Sequence, residues 1–243
     1  MKRFFINLIC CFVPSKALRR KIRNAAKRVK PQNNIIEIVK ADGRRVRVKR
    51  VPGCRFEFSG DDNYVVLHEP LGKLDLQVYV SSGVYIELES SVVYQRKIKV
   101  IKHAGEQYKN SLIIGNNFSS TNYCQCNFCG GPGNIKIGSE CLFADGVLWT
   151  GDWHTIYDCN DGKVLNPNAD ICIGNHVWLA TGCLLLKGTK IADNSVVGAR
   201  SVVNKKFEQT NVVVAGVPAR IVKENINWDA RAPHQYAQDN GLI

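Results

Sequence analysis

Long apolar runs are missing from this sequence. The longest lies within residues 1–13 and carries Phe4, Phe5, Leu8, Ile9 and Phe12. That is about ten apolar residues, where a membrane-spanning helix needs about 20. No small-x-small cleavage motif follows, and the next segment is heavily basic, so the run is not read as a signal peptide. Aromatics are absent from the alternating basic stretch Arg44 to Val51, which reads as an exposed strand with nothing to stack on bases. No nucleic-acid partner is expected. A second ligand pair at zinc spacing is also absent beside Cys124, Cys126 and Cys129. These three, with the other unpaired cysteines, are therefore expected to be buried thiols in a reducing compartment, with no metal. Acidic residues are scarce only at the start. Residues 1–50 hold 16 Lys and Arg against Glu37 and Asp42, so of the net +12 this stretch carries +14 and the remainder −2. Residues 1–30 are expected to form a basic amphipathic helical arm, able to lie on an anionic membrane surface.

What is present is a count of six. Ile137, Phe143 and Trp149 are six apart, and after an interruption the same frame resumes at Ile173, Leu179, Leu185, Ile191, Val197 and Val203. The following residue is often small (Gly138, Ala144, Gly174, Ala180, Ala192, Gly198), and the fourth is compact, as at Cys141, Val177, Cys183, Thr189, Ser195 and Ser201. Neither a helix, at 3.6, nor a flat strand, at 2, sustains that period. Three hexads per coil of eighteen residues do, stacked as an all-β parallel β-helix with the large apolar residue inward. A looser beat at Leu74, Val80, Ile86, Val92 and Ile98 predicts irregular early coils.

This divides the chain into four parts. They are the arm (1–30), irregular strands and early coils (31–110), regular coils (111–206) with a loop at 150–172, and a C-terminal part (207–243). The coils are expected to end near Asn204–Phe207, followed by a strand, a turn and a short helical tail. The loop is the functional clue, because a solenoid has no packing reason to lose its frame and recover it, and excursions gather on a binding face. It carries His154, a residue suited to general-base work at neutral pH.

Several pieces in order resemble the hexapeptide-repeat acetyltransferases, in the branch that O-acetylates bacterial surface sugars. They are Gly151-Asp152-Trp153-His154-Thr155-Ile156, Asn166-Pro167, Ile173-Gly174-Asn175-His176-Val177-Trp178-Leu179-Ala180, Lys187-Gly188, Gly198-Ala199-Arg200-Ser201-Val202-Val203 and Gly216-Val217-Pro218-Ala219. The resemblance covers about Ile137 to Trp228. It implies a left-handed helix, a homotrimer, and acetyl-CoA as co-substrate in the groove between neighbouring subunits. Ala180 stands where that family often has glycine, and Asn204 where it often has threonine. The first hundred residues match no part of it.

On this reading the acceptor is a hydroxyl of a surface polysaccharide or its precursor, and the site is cytoplasmic, with residues 1–30 against the inner membrane face. His154 is the expected base, and Asp152 the nearest carboxylate to orient it, with Asp145 and Asp158 as rivals. Trp178 offers a donor-only indole N–H to the acceptor or the acetyl carbonyl. Ala180 and Gly198, one coil apart, would leave room for the pantetheine arm, with Lys205, Lys206 and Arg220 placed for the phosphates. Three other readings stay open: N-acetylation of an amino sugar, a non-enzymatic scaffold binding membranes or polyanions, and a zinc hydratase. The last needs three histidines, and only His154 and His176 fall in the strong repeat.

Overall fold

The computed structural model describes residues 33–92, 95–103 and 108–243. The arm expected at residues 1–30 lies outside them. The rest is a β-solenoid of about seven turns followed by one short helix, Pro233–Asp239. Among the described residues no helix is long and apolar enough to cross a membrane.

The sixfold count becomes three faces. The first is a nine-stranded sheet running from Arg45–Arg47, through Ile35–Val39, to Lys206–Phe207, the second a seven-stranded sheet from Cys54–Phe58 to Val202–Val203. The third is a six-stranded sheet that begins only at Ser119–Ser120. Register confirms the coil length in the regular part. Ile173 pairs with Ile191, Leu179 with Val197 and Leu185 with Val203, each eighteen residues on. The inward columns Ile137–Ile173–Ile191–Phe207 and Phe143–Leu179–Val197–Val214 are all buried. Each such side chain stabilises the fold by about 1.5–3 kcal/mol.

The corners explain the small residues. Thr189 Oγ1 donates to the Val203 carbonyl at 2.9 Å, Ser201 Oγ to Gly198 at 2.6 Å and Cys141 Sγ to Gly174 at 3.2 Å. A compact donor at the fourth position thus adds a hydrogen bond to a carbonyl at or beside the corner. Between the first and third faces the chain takes positive φ once per coil, at Asn117, Glu140, His176, Asn194 and Asn211. At Gly174 a Cβ would collide with Asp193 Oδ1, so that corner admits only glycine.

Three expectations are corrected. Trp149 is not the inward residue of its hexad. Leu148 is, fully buried and paired with Leu185, because the corner before the loop is one residue shorter. Val92 does not join the early beat: it is 75% exposed, while Ser91 is buried. The coils also do not end at Phe207. Lys206–Phe207 extends the first face, and Val213–Gly216 adds a further strand to the third, backed by an antiparallel strand Ala219–Lys223.

The early coils are longer and have two faces. Ile35 pairs with Tyr64, twenty-nine residues on, and Tyr64 with Tyr85, twenty-one on. The exposed strand Arg45–Arg47 pairs antiparallel with Ile35–Val39 at their edge.

Candidate active site

The loop leaves the second face after Gly146–Trp149 and re-enters the first at Ile171–Ile173. Its two ends are tied together, since the Ala169 N–H donates to the Thr150 carbonyl at 3.0 Å. The closed ends let the frame resume, because the coil is complete without the residues between them. Beyond this neck the chain forms a small hairpin, with the Leu165 N–H on the Ile156 carbonyl (2.8 Å) and a bridge between Tyr157 and Val164.

His154 lies at the foot of that hairpin, exposed. Its backbone is fixed from one side by Asn166. The Asn166 Nδ2 group donates to the His154 carbonyl at 2.9 Å and to Asp152 Oδ2 at 2.8 Å, while its Oδ1 accepts the Ile156 N–H at 2.7 Å. The ring before it is also held: Trp153 meets the His103 ring edge-on, centroids 5.1 Å apart. The imidazole of His154 makes no hydrogen bond among the described residues. The backbone of His154 is thus fixed while its ring faces solvent.

Asp152 is not the partner of that imidazole. Its Oδ2 accepts from Lys187 Nζ at 2.5 Å, and Lys187 also donates to the Asn166 carbonyl at 2.8 Å. Lys187 can do this because it occupies the same corner one turn later, with only 21% of its side chain exposed. The Lys187 ammonium, and then Asn166, hold the Asp152 carboxyl below its usual range. The two rivals are also engaged elsewhere. Asp145 binds the next corner, through Thr181 Oγ1 at 2.9 Å and the Gly182 N–H. Asp158 accepts the Asn160 N–H at 2.7 Å within the hairpin turn. Asp152, Asn166 and Lys187 form a clamp at the loop base.

The remaining predicted residues fall in three places. Ala144, Ala180, Gly198 and Ala215 stack at the corner between the third and second faces, linked by bonds from Ala144 N to Leu179 O, Ala180 N to Val197 O and Gly198 N to Val214 O. Arg220 pairs with Ala215 at the end of this column. Gly198 has no positive φ, but a Cβ there would lie 2.9 Å from that of Ala215. Lys205 and Lys206 lie across the second face from the column, beyond Val202–Val203; Lys205 Nζ sits 5.1 Å from the Phe207 ring centroid. The structure therefore brings Arg220 to the column and leaves both lysines on the loop's corner. Trp178 projects from the third face, 39% exposed.

Cys124, Cys126 and Cys129 are fully buried. The hydrogen bond its S–H makes to Cys124, and then burial, push the Cys126 thiol well up, so it is not a ready nucleophile. The one trio of metal-type donors among the described residues lies elsewhere, in the early coils. There His68 Nε2 is 3.0 Å from Glu87 Oε1 and Nδ1 3.6 Å from Glu89 Oε2, a polar link between coils.

Two curated relatives share about half of the chain. It is 43% identical over 112 residues to a polysialic acid O-acetyltransferase of Neisseria meningitidis, covering 46% of this chain and 52% of that protein. It is 34% identical over 138 residues to a galactoside O-acetyltransferase of Escherichia coli, covering 54% and 62%. The chain resembles the hexapeptide-repeat sugar O-acetyltransferases. It spans about half to three fifths of the length of these relatives. The fold continues beyond the matched sequence. The crystal structure of the polysialic acid-specific acetyltransferase NeuO superposes with a TM-score of 0.66 over 88% of this chain and 96% of that one, at 20% identity. No protein-family model matches.

Sequence reasoning gave no role to Asn166, Lys187 or His103. The first two stood in recognised motifs, and stacking by corner would have paired Lys187 with the loop base. His103 carried no signal, since it lies in the unmatched coils.

Proposed function

We propose that the chain is an acetyl-CoA-dependent O-acetyltransferase acting on a hydroxyl of a surface polysaccharide or its precursor, with His154 as general base. The observation that carries this reading is the loop. One corner of an otherwise continuous solenoid opens to present an exposed imidazole on a backbone clamped by Asn166, Asp152 and Lys187. The names of the relatives point the same way.

In this mechanism the His154 imidazole takes the proton of the sugar hydroxyl as its oxygen attacks the thioester carbonyl. The C–O bond forms, the C–S bond then breaks, and the imidazolium returns the proton to the departing thiolate. The Trp178 N–H is the donor for the acceptor or the carbonyl oxygen. The column Ala144–Ala180–Gly198–Ala215 fits a thin extended pantetheine arm, because nothing larger than a methyl projects along it, and Arg220 stands at its end for phosphate. The Asp152 role becomes one of holding the loop.

The loop and this column stand at different corners of one chain. A complete site therefore unites the loop of one copy with the column of its neighbour, as a homotrimer of left-handed solenoids would. The hairpin is built for such a contact: Trp153, Ile156, Tyr157, Val164 and Leu165 are all 46–60% exposed. A glycan acceptor and acetyl-CoA place the reaction in the cytoplasm, with residues 1–30 as the segment available to the inner membrane surface.

The test is thiol release from acetyl-CoA across a panel of glycans, with wild type and His154→Ala. Turnover is expected to fall by about 10²–10⁴-fold, with acetyl-CoA affinity and melting temperature unchanged. Near wild-type turnover in the variant removes His154 from the chemistry.

A further inference from the structure

The tail does more than end the chain. After the strand Ala219–Lys223 the backbone reverses at Asn225, where φ is 56°. It is then tied to the last corner by two bonds, Ile226 N to Asn211 O at 3.0 Å and Asn211 Nδ2 to Ile226 O at 2.9 Å. This anchor delivers Trp228 onto the third face.

Trp228 is held there twice. Its ring stacks flat on His176, with centroids 4.3 Å apart and planes 12° from parallel, and its Nε1–H donates to the His176 carbonyl at 2.8 Å. His176 is itself constrained, by a positive φ of 52° and by Nδ1 lying 3.2 Å from Asn194 Oδ1. The free flank of Trp228 faces Trp178, with centroids 6.2 Å apart and planes inclined at 43°. Trp178 is exposed and projects from a two-residue strand, so the strand alone does not select among its rotamers. Among the described residues Trp228 is its one aromatic neighbour.

We propose that Trp228 is a positioning residue: carried in by the tail and locked on His176, it sets the orientation of the Trp178 indole. This rests on the reading that Trp178 contacts the acceptor or the acetyl carbonyl. A donor-only N–H serves a reacting group only when it is aimed, and a displacement of about 1 Å can lower a rate about 100-fold. The indole of Trp228 supplies that aim by filling the space into which Trp178 would otherwise rotate. It touches no reacting atom.

The experiment is a double-mutant cycle on the full chain, with Trp228→Leu, Trp228→Phe and Trp178→Ala. Trp228→Leu is expected to lower kcat about 10-fold with KM for acetyl-CoA unchanged, and Trp228→Phe, which keeps a flat ring on His176, to recover most of the loss. In the Trp178→Ala background neither change should lower kcat further, because the ring being aimed is gone. If Trp228→Leu lowers kcat by the same factor in both backgrounds, the residue only fastens the tail and the proposal falls. It falls equally if Trp228→Leu moves the melting temperature but not kcat. If Trp228→Leu does not fold, Trp228→Phe decides in the same two backgrounds, by a loss of about threefold that is present with Trp178 and absent without it. Full activity of Trp178→Ala would instead remove the reading on which the proposal rests.

Discussion

In the strand Gln95–Lys102 the inward places are taken by Arg96, Ile98, Val100 and Lys102; in the regular coils the equivalent places carry no charge and hold apolar or small residues such as Cys124, Cys126, Phe128, Leu148, Cys183, Leu185 and Val203. Both cations are buried. Arg96 reaches out to the carbonyls of Glu89, at 2.9 Å, and Leu71, and Lys102 to those of Ser82 and Tyr108. The difference follows from the number of faces. With three faces, each corner is a tight turn whose carbonyls meet a Ser, Thr or Cys donor. With two, the second-face strands Lys73–Val80 and Gln95–Lys102 are eight residues long and the wide ends beside them leave carbonyls too far for short side chains. Long cationic stems span that gap, their methylenes packed and their heads bonded. Burial pushes the Arg96 guanidinium down to about 10, a sign that its charge is held there against a desolvation penalty. Regularity, it follows, goes with apolar filling, and irregularity with polar bracing.

The comparison can be broken most forcefully in the regular half. Phe143 is fully buried and meets Phe118 edge-on at 5.0 Å. Phe143→Ala should destabilise by about 3–5 kcal/mol in denaturant titration. A loss under about 1 kcal/mol would mean that the inward column is not the seat of stability. In the early half Arg96→Met, which keeps most of the stem but orphans two carbonyls, should cost about 2–3 kcal/mol, and Arg96→Ala somewhat more, because it also leaves a cavity. A large loss in Arg96→Ala with almost none in Arg96→Met would show that volume, not bracing, explains Arg96. Next comes a test of the corner column: Ala180→Val should weaken acetyl-CoA binding about tenfold or more, near 1.4 kcal/mol, by calorimetric titration. Gly198→Val is the poorer variant, because it collides with Ala215 whether or not a ligand is present. Unchanged affinity in Ala180→Val would place the co-substrate along another face. The smallest effect is expected at the early-coil surface, where Glu89→Gln, beside His68, should change stability by less than about 1 kcal/mol. A larger loss would mark that link as structural.

The two halves were also unequal in what could be read beforehand. Eight of the nine frame positions from Ile137 to Val203 are inward as expected, because in a three-faced coil the period survives in every turn. Trp149 failed because a corner can shed one residue without disturbing the next coil, and a count has no view of that. In the early half the strand Lys73–Val80 alternates burial along its length, a period of two that the search for six passed over. Arg96 and Lys102 hid the next strand by placing charge where apolar residues signal the interior. Around the loop, the excursion that carries His154 was legible through the broken period, and the stacking of Ala180 on Gly198 through the eighteen-residue spacing. Asp152 was misplaced because proximity along the chain favours His154, while the turn above supplies Lys187. Trp228 was out of reach, since its partners lie some fifty residues back and only the returning tail brings them together.

The hairpin that finishes the third face has a consequence for how copies of this protein meet. A stack of parallel strands offers at its last rung the same row of amides and carbonyls that every earlier rung used, and so could in principle continue into another molecule as a filament. Here the last rung, Val213–Gly216, is already occupied by Ala219–Lys223 running the opposite way. On that face an incoming chain in parallel register finds no matching edge, and Arg220 and Lys223 on the outer strand add charge against a like end. The turn at Val217-Pro218 thereby closes the third face to a further parallel rung.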